Sequence, residues 1–417
     1  MRYRLAILFA ALSLSATAQS VDTTQALLRR VADHIIRTTS FQFVNRHTQE
    51  RFSSVKDLAP SSDIRAESRY NEWEYVNGVL AVGMIRTASV LNDARYSDYS
   101  RADYRFIFDN LDYFRRQYAS GDTHAEFAPF FRMNALDDCG SMAAGLLDVY
   151  AFDRRDDYMA YLKRTADYIL YHQVKLPDST LGRDNPHRLT IWADDLYMSV
   201  PFLARMGKLT GDPKYFDFAI EQVEHFNHYL FDPATGLFFH CFYTDAGVNG
   251  VAHWGRANGW LAVAQATLLE NLPPGHPKRK ELIGFLQRQI SGFSRYQDPA
   301  TGLWHQLLDK RDSYLESSVT AMFTYTVAKA VNEGWINPGY MSVARNGWKG
   351  LESKVTPEGE LEDVCMGTGI DDDIRFYYTR PTPLNDTHGL GAFLLAGAEM
   401  VRGENARVAR GENVVVK

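Results

Sequence analysis

The sequence is poor in cysteine and has no long hydrophobic run beyond its first residues. Its 417 residues contain three cysteines, Cys139, Cys241 and Cys365, whose spacing does not match a zinc site. We therefore expect buried, unpaired thiols rather than a disulfide framework. No stretch after residue 18 approaches the ~18 consecutive apolar residues of a membrane-spanning helix, so we expect a soluble mature chain.

Basic runs and several common catalytic motifs are also missing. The net charge is −6 and no long run of Lys or Arg occurs, so a nucleic-acid partner is not expected. The sequence has no GxxxxGK[ST] phosphate loop, no HExxH zinc pair and no GxSxG nucleophile turn. The 29 glycines and 15 prolines are too few for a disordered or fibrous chain.

The first 18 residues, MRYRLAILFAALSLSATA, have the pattern of a secretory signal peptide. Arg2 and Arg4 precede a short apolar run, and Ala16-Thr17-Ala18 is a small-x-small cleavage site. No cysteine lies at the cleavage site, so we expect no lipid or membrane anchor. We predict a signal peptide at residues 1–18, a single domain at residues 19–417, and a periplasmic or secreted location.

An internal repeat organises the rest of the chain. The segments DPATGLFFH (232–240) and DPATGLWH (298–305) match almost letter for letter and lie 66 residues apart. Each predicts a turn, a short extended run, a loop and then an apolar helix. A period of this length is typical of repeated helix pairs.

Further helix starts of this kind along the chain predict two sets of six helices. One set is rich in glycine, alanine and apolar residues on every side, which is typical of buried helices with close backbone contacts. The other set is amphipathic, with one solvated face. Asp212-Pro213 and His276-Pro277 are typical helix openings with proline in the first turn. The apolar helices begin near Asn77, Asp138, Asp194, Asn258, Ser317 and Thr387, and the amphipathic helices cover roughly 22–39, 98–117, 154–173, 212–231, 276–295 and 336–354.

These two sets predict an all-α fold, an (α/α)6 barrel or six-hairpin toroid, with six inner and six outer helices. An open solenoid of helix pairs would expose one side of the uniformly apolar helices, which argues against it. In the closed ring all inner helices begin at the same mouth. The loops before them therefore form a polar, aromatic pocket, a usual position for a ligand site.

The residues near this mouth suit sugar chemistry, because carboxylates transfer protons and tryptophan offers flat apolar faces. Asp138 and Asp194 each open an inner helix, although Asp is also a preferred helix cap. Asp137 and Asp195 lie beside them, and the sequence alone separates the two pairs poorly. Glycosidases commonly use two carboxylates.

Other mouth residues are candidates for binding. Arg256 in WGRANGW can bind a carboxylate or form a structural ion pair, and Trp254 and Trp260 flank it as sugar platforms or core residues. His187, His240 and His388 are hydrogen-bonding candidates, although a single histidine is more often structural.

Four segments carry a family resemblance. The strings WADDLYM (192–198, followed by Pro201-Phe202), WGRANGW (254–260), ESS (316–318) and NDTHG (385–389) resemble glycoside hydrolase family 105. The related family 88 is similar but matches these strings less well. The resemblance covers nearly the whole mature chain and implies the same six-hairpin barrel.

The resemblance implies hydrolysis of an unsaturated uronic acid at the non-reducing end of a lyase-generated oligosaccharide. An acid protonates C4 of the C4–C5 double bond, water adds at C5, and the resulting hemiketal opens and releases the aglycone. Unsaturated galacturonyl-rhamnose from pectin is the expected substrate, and unsaturated glucuronyl caps of other polysaccharides are an alternative.

The resemblance also assigns roles by motif. Asp194 is the implied general acid and base and Asp138 the assisting acid, with no metal or cofactor. We expect a monomer or weak homodimer. The implied substrate-binding residues are His187, His240, Trp254, Arg256, Trp260 and Trp192.

Two other classes of function remain open at this point. An ordinary glycosidase or an epimerase on the same barrel would act on saturated sugars. A non-catalytic sugar-binding protein would keep its ligand after loss of Asp194, and this barrel hosts several activities.

Overall fold

The computed structural model describes residues 23–409, most of which lie in helices. The predicted signal peptide, residues 1–18, lies outside the described residues. The helices are α1 (residues 23–38), α2 (Tyr75–Leu91), α3 (Ala94–Phe108), α4 (Leu111–Ala119), α5 (Ala128–Arg132), α6 (Gly140–Tyr150), α7 (Asp156–Asp167), α8 (Asp194–Tyr197), α9 (Val200–Thr210), α10 (Pro213–Leu230), α11 (Gly255–Asn271), α12 (Arg279–Ser294), α13 (Ser317–Asn332), α14 (Met341–Glu352), α15 (Ile374–Tyr378) and α16 (Thr387–Ala409).

Short strands form small antiparallel sheets in the connections between the helices. The strands are β1 (Phe43–Asn45), β2 (Arg51–Phe52), β3 (Ile64–Ala66), β4 (Thr190–Trp192), β5 (Phe231–Asp232), β6 (Leu237–Phe238), β7 (Cys241–Tyr243), β8 (Val248–Asn249), β9 (Trp304–His305) and β10 (Leu315–Glu316). The strand order in the four sheets is β2-β1-β3, β4-β7-β8, β5-β6 and β9-β10.

Six helical segments form a closed ring at the centre. Helices α2, α6, α9, α11, α13 and α16 each contact the next, and α16 contacts α2. Helices α3, α7, α10, α12 and α14 pack on the outside of this ring, and all of them except α7 contact two neighbouring ring helices. Helix α1 packs there too, since a Cβ atom at Gly397 of α16 would lie 2.6 Å from the Leu28 side chain. These contacts agree with the predicted inner and outer helices.

Burial and small residues explain why the inner helices pack so closely. Residues 255–269 of α11 and 317–330 of α13 are buried on all sides, as expected for helices without a polar face. At Gly78 of α2, a Cβ atom would lie 2.3 Å from the backbone oxygen of Ser141. Only glycine allows α2 and α6 this contact.

Three predicted helices are interrupted. The third inner helix is split into α8 and α9, because Pro201 lacks the N–H that a continuous helix would need. The outer helix predicted at 98–117 breaks between α3 and α4, where the Asn110 amide accepts a hydrogen bond from the Val55 N–H. The outer helix predicted at 154–173 ends in a π-helical turn, Tyr168–His172.

The repeated DPATG segment folds in the same way twice. Gly236 and Gly302 have φ values of 74° and 78°, in the left-handed region that favours glycine. The Asp232 and Asp298 side chains accept backbone N–H groups two residues further on. The turn predicted from the repeat is confirmed in both copies.

The three cysteines are buried and form no disulfide, which confirms the expected free thiols. Among residues 23–409, every helix is too short or too polar to cross a membrane.

Candidate active site

The N-terminal ends of several inner helices meet at one end of the ring. The Tyr75 ring at the start of α2 lies 5.6 Å from the His388 ring in α16 and 6.3 Å from the Trp260 ring in α11. Tyr197 of α8 lies 4.4 Å from Trp260. The polar and aromatic residues from these helix starts therefore surround one space, at the predicted mouth.

Asp194, the first residue of α8, joins a hydrogen-bonded chain at this mouth. Its carboxylate lies 3.1 Å from Nε2 of His240, and Nδ1 of His240 lies 2.9 Å from the Tyr377 hydroxyl. The chain is complete when Tyr377 donates to Nδ1 and the Nε2–H of His240 donates to Asp194. The His240 side chain is fully buried, whereas 13% of the Asp194 side chain is exposed. Asp194 is thus hydrogen-bonded to a buried histidine and remains partly exposed to solvent.

The surroundings of Asp194 favour its ionised form. Burial raises its pKa, but the hydrogen bond from His240 and the charges of Arg183 and Arg256 outweigh burial. Together they hold the pKa of Asp194 below its usual range. In the free protein Asp194 is therefore a carboxylate near neutral pH.

Arg183 binds two further carboxylates next to Asp194. It donates to Asp137 at 2.8 Å and to Asp195 at 2.6 Å. Burial raises the pKa of Asp195 to about 6, while Arg183 opposes that rise. Arg183 also lies over the Trp192 ring, 4.3 Å from its centre. Three carboxylates thus share this side of the mouth.

Arg256 is a buried cation with neutral partners. Its guanidinium donates to the backbone oxygens of Cys365 and Met366 at 2.5 and 2.7 Å and lies 4.6 Å from the centre of the Trp254 ring. Its Nε has no hydrogen-bond partner among the described residues. The ion pair with a mouth acid, which the sequence left as an alternative, is not formed within residues 23–409.

The buried donors without partners include three of the tryptophans. The indole N–H groups of Trp192, Trp254 and Trp260 bind no protein atom within residues 23–409. The N–H groups of Trp73 and Trp304, by contrast, each donate to a backbone oxygen. Buried donors are normally paired, so these three indole N–H groups differ from those of Trp73 and Trp304. Residues 23–409 contain no group of three or more His, Cys, Asp or Glu side chains that could hold a metal ion.

Residues 44–403 match the sequence profile of Glycosyl Hydrolase Family 88. The chain belongs to this family. It is therefore a glycoside hydrolase.

Individual relatives of this family 88 chain agree with that assignment. It is 28% identical over 270 residues to unsaturated rhamnogalacturonyl hydrolase YesR of Bacillus subtilis, covering 63% of this chain and 76% of the relative. It is 32% identical over 220 residues to an unsaturated 3S-rhamnoglycuronyl hydrolase of an Alteromonas species, about half of each chain.

A solved structure extends the likeness to the whole fold. A possible member of family 105 from Salmonella enterica superposes with a TM-score of 0.73 at 26% identity, covering 92% of this chain and 94% of that one. The predicted resemblance to family 105, related to family 88, is confirmed, as is the all-α six-hairpin fold class.

The two neighbouring acids of this family 88 chain, Asp137 and Asp138, lie in different surroundings. The Asp138 carboxylate binds Arg132 and accepts the backbone N–H groups of Asn134 and Ala135. Its side chain is 4% exposed, whereas that of Asp137 is 35% exposed. The structure thus ties Asp138 into its own turn and leaves Asp137 accessible.

The other predicted binding residues lie either near Asp194 or on an exposed loop. Trp192 lies 5.8 Å from His240, and Trp254 lies 4.6 Å from it, so both line the space around Asp194. His187 instead lies on an exposed loop, with its ring 5.3 Å from that of Tyr243. His187 is therefore a rim residue and the only one of the predicted set that is exposed.

Sequence reasoning missed three residues of the site, Tyr75, Arg183 and Tyr377, and named Asp137 only as the neighbour of Asp138. Burial raises the pKa of Tyr75, and the charges of Asp137 and Asp194 add to that rise. Tyr377 comes from the short helix α15 and had no motif of its own. The WEY string at 73–75, just before an inner helix, was the one available signal for Tyr75.

Proposed function

We propose that this chain removes a terminal 4,5-unsaturated uronic acid from lyase-generated oligosaccharides by hydrating the ring double bond. The observation that carries the proposal is the Asp194 carboxylate, bound by His240 and facing a site with unpaired tryptophan and arginine donors. The names of the two curated relatives, both unsaturated uronyl hydrolases, support it.

Arg256 is the proposed partner of the substrate carboxylate. Its charge is buried and bound only by neutral oxygens, and its Nε is free to donate. A carboxylate meeting such a guanidinium forms a strong, charge-assisted hydrogen bond. Trp254 and Trp260 supply apolar faces for the sugar ring beside it.

Asp194 is the proposed acid and base. Its protonated form gives a proton to C4, forming the C4–H bond and leaving positive charge shared by C5 and the ring oxygen. A water molecule adds at C5 and returns a proton to the Asp194 carboxylate. The hemiketal then opens by breaking the bond from C5 to the ring oxygen, which gives a ketone at C5 and a hemiacetal at C1. When the hemiacetal collapses to an aldehyde, the bond from C1 to the aglycone oxygen breaks and the hemiacetal's hydroxyl proton passes to the aglycone oxygen.

The substrate itself helps to protonate Asp194. In the free protein the pKa of Asp194 is lowered, which disfavours the acid form. A bound uronate places a second negative charge near Asp194, and a like charge raises the pKa of a carboxyl. Substrate binding therefore favours the protonated form of Asp194, which is the form that donates a proton to C4.

Asp137, rather than Asp138, is the second carboxylate that we propose for the reaction. Asp137 is 35% exposed and is bound by Arg183. Asp138, which the family resemblance implies, keeps its carboxylate within its own turn. Neighbouring acids at a helix start are easily exchanged in a sequence comparison.

Unsaturated galacturonyl-rhamnose from pectin is the proposed substrate, with unsaturated glucuronyl caps as the second candidate. Both relatives carry rhamnose and an unsaturated uronic acid in their names, which supports rhamnose as the neighbouring sugar. The N-terminal pattern at residues 1–18 supports action in the periplasm or outside the cell, and we propose a monomer or weak homodimer.

A substrate panel tests the proposal. Purified protein is mixed with unsaturated disaccharides from pectin and from glucuronic-acid polymers, and with the matching saturated disaccharides. We expect loss of the alkene's ultraviolet absorbance and release of the neighbouring sugar from unsaturated substrates only. Release from saturated disaccharides at a similar rate would assign the chain to ordinary glycosidases, and binding without any release would make it a sugar-binding protein.

A further inference from the structure

Arg183 connects parts of the site that are distant in sequence. Its Nη1 and Nη2 donate to the two oxygens of Asp137 at 2.8 and 3.1 Å. Its Nε and Nη2 donate to Asp195 at 3.0 and 2.6 Å. One guanidinium thus joins the turn before α6 to the first turn of α8, where Asp194 precedes Asp195.

The position of Arg183 is itself fixed on two sides. Its backbone exchanges two hydrogen bonds, at 2.8 and 2.9 Å, with Thr190, the first residue of strand β4. Its guanidinium lies over the Trp192 ring, and its side chain is only 14% exposed. A planar group held in this way fixes the angle as well as the distance of each carboxylate.

The balance of charge among the aspartates of the site also depends on the Arg183 guanidinium. Asp137, Asp194 and Asp195 lie together, and Arg183 is the cation bound directly to two of them. Without Arg183, three carboxylates would lie close together and lack the cation that binds two of them. Their repulsion would raise the pKa of whichever carboxyl group takes up a proton first.

We propose that Arg183 is a positioning residue, which holds Asp137 and the α8 turn that carries Asp194 in their working arrangement. This inference rests on the proposed function and adds a residue that the family motifs did not indicate. Arg183 acts through the two acids, because its guanidinium donates to Asp137 and Asp195 and lies over the Trp192 ring.

Several other groups act on Asp194 besides Arg183, and each comes from an element packed around it. His240 binds it directly, and Arg256 adds a second positive charge. The titratable and charged groups that interact with Asp194 are His240, Arg183, Arg256, Asp195, Tyr75, Tyr377, Cys241 and His388. A test must therefore change Arg183 and leave these groups in place.

Two variants separate charge from geometry. Arg183→Lys keeps a positive charge but loses the planar fork, and Arg183→Gln loses both. Arg205→Gln is the matched control, because Arg205 also forms a buried two-pronged pair, with Asp148 at 2.9 and 3.1 Å, away from the mouth. A loss of stability alone should affect the control as much as the Arg183 variants.

The measurement combines kinetics with direct titration of Asp194. The 13C NMR signal of the Asp194 carboxyl carbon is followed against pH. The signal is assigned by its absence in Asp194→Asn. The melting temperature, kcat and KM are recorded for each variant. For Arg183→Gln we expect the Asp194 midpoint to rise by about one pH unit and kcat to fall at least about tenfold. For Arg183→Lys we expect a similar loss of kcat with a shift of less than about half a unit, and KM within about threefold. For Arg205→Gln we expect only a lower melting temperature.

An unchanged Asp194 midpoint in Arg183→Gln, with kcat within about twofold of wild type, would overturn the proposal. If Arg183→Gln does not fold, Arg183→Lys decides, and wild-type kcat in that variant overturns it. If wild-type protein has no activity on the panel, the proposed function fails, while the NMR titration still decides the role of Arg183.

Discussion

Asp137 and Asp138 are adjacent in the chain, but different arginines hold their carboxylates. Arg132, from the preceding helix α5, binds Asp138, and Arg183, from a distant loop, binds Asp137. The sequence identifies the acidic pair but not which member faces the ligand, because that choice depends on residues brought together only by folding.

Exchanging the two acids for amides should separate their roles. We expect Asp137→Asn to lower kcat at least about tenfold with little change in melting temperature. We expect Asp138→Asn to lower the unfolding free energy by about 1–3 kcal/mol, because two backbone N–H groups and Arg132 lose a charged acceptor. Thermal unfolding and steady-state kinetics measure both. Loss of turnover in a fully stable Asp138→Asn protein would return the second role to Asp138.

Asp103 gives the protein a stability that depends on pH. Its carboxyl group is buried in α3, 2.8 Å from the side-chain nitrogen of Asn71, and burial raises its pKa from 3.8 to about 7. The side-chain oxygen of Asn71 has no partner among the described residues, so a protonated Asp103 can donate to it. The folded state therefore binds a proton that the unfolded state releases above pH ~4.

Stability should consequently fall as pH rises from about 4 through about 7, by at most about 4 kcal/mol. Asp103→Asn cannot ionise, so we expect it to lose less unfolding free energy than wild type between pH 5 and pH 8. Denaturant unfolding at both pH values measures this. The control is Asp98→Asn, whose carboxylate is exposed on the same helix. An equal pH slope in wild type and Asp103→Asn would show that Asp103 is already ionised when folded.

The helices show which elements a sequence can define. The inner helices start within a few residues of their predicted positions, because runs of small and apolar residues on every side are unusual. Asp212 caps α10 with Pro213 in its first turn, as predicted. The opening predicted at His276-Pro277 is wrong, since α12 begins at Arg279. The breaks at Pro201 and Asn110 depend on hydrogen bonds of the backbone nearby. The spacing of hydrophobic residues along the sequence does not report those bonds.

Close packing between inner helices predicts opposite effects for two Gly→Ala exchanges. A Cβ atom at Gly78 would lie 2.3 and 2.6 Å from backbone atoms of Ser141 and Met142, whereas at Gly284 in outer helix α12 its surroundings are open. We expect Gly78→Ala to lower the unfolding free energy by at least about 1–3 kcal/mol. We expect Gly284→Ala to raise it by about 0.5–1 kcal/mol. Comparable melting temperatures for the two variants would contradict the assigned contact between α2 and α6.

In the whole molecule, the ring joins the first and the last helices of the described residues 23–409. Helix α16 packs against α2, and the Trp348 indole of α14 donates to Thr24 of α1 at 3.1 Å. The 66-residue repeat predicted helix pairs, and the apolar character of one helix set predicted closure of the ring. The repeat could not predict the small sheets in the connections, which bring His240 and Trp192 together through pairing of β4 with β7.

A closed ring should unfold as one unit, since no hairpin can leave without exposing the inner faces of its neighbours. We expect the chain of residues 19–417 to give a single calorimetric transition, with equal calorimetric and van't Hoff enthalpies. Two resolved transitions would contradict the prediction of a single domain.

Asp194 is the acid and base of the proposed hydration, and Asp137 is the second carboxylate. The most direct test of the Asp194 role compares wild type with Asp194→Asn on one unsaturated disaccharide, by calorimetric binding and by loss of the alkene absorbance. For Asp194→Asn we expect binding within about fivefold of wild type, and turnover lowered by about 10²–10⁴-fold, the usual contribution of general acid–base catalysis. Turnover within about tenfold of wild type in a folded, ligand-binding Asp194→Asn protein would show that Asp194 is not the acid of the reaction.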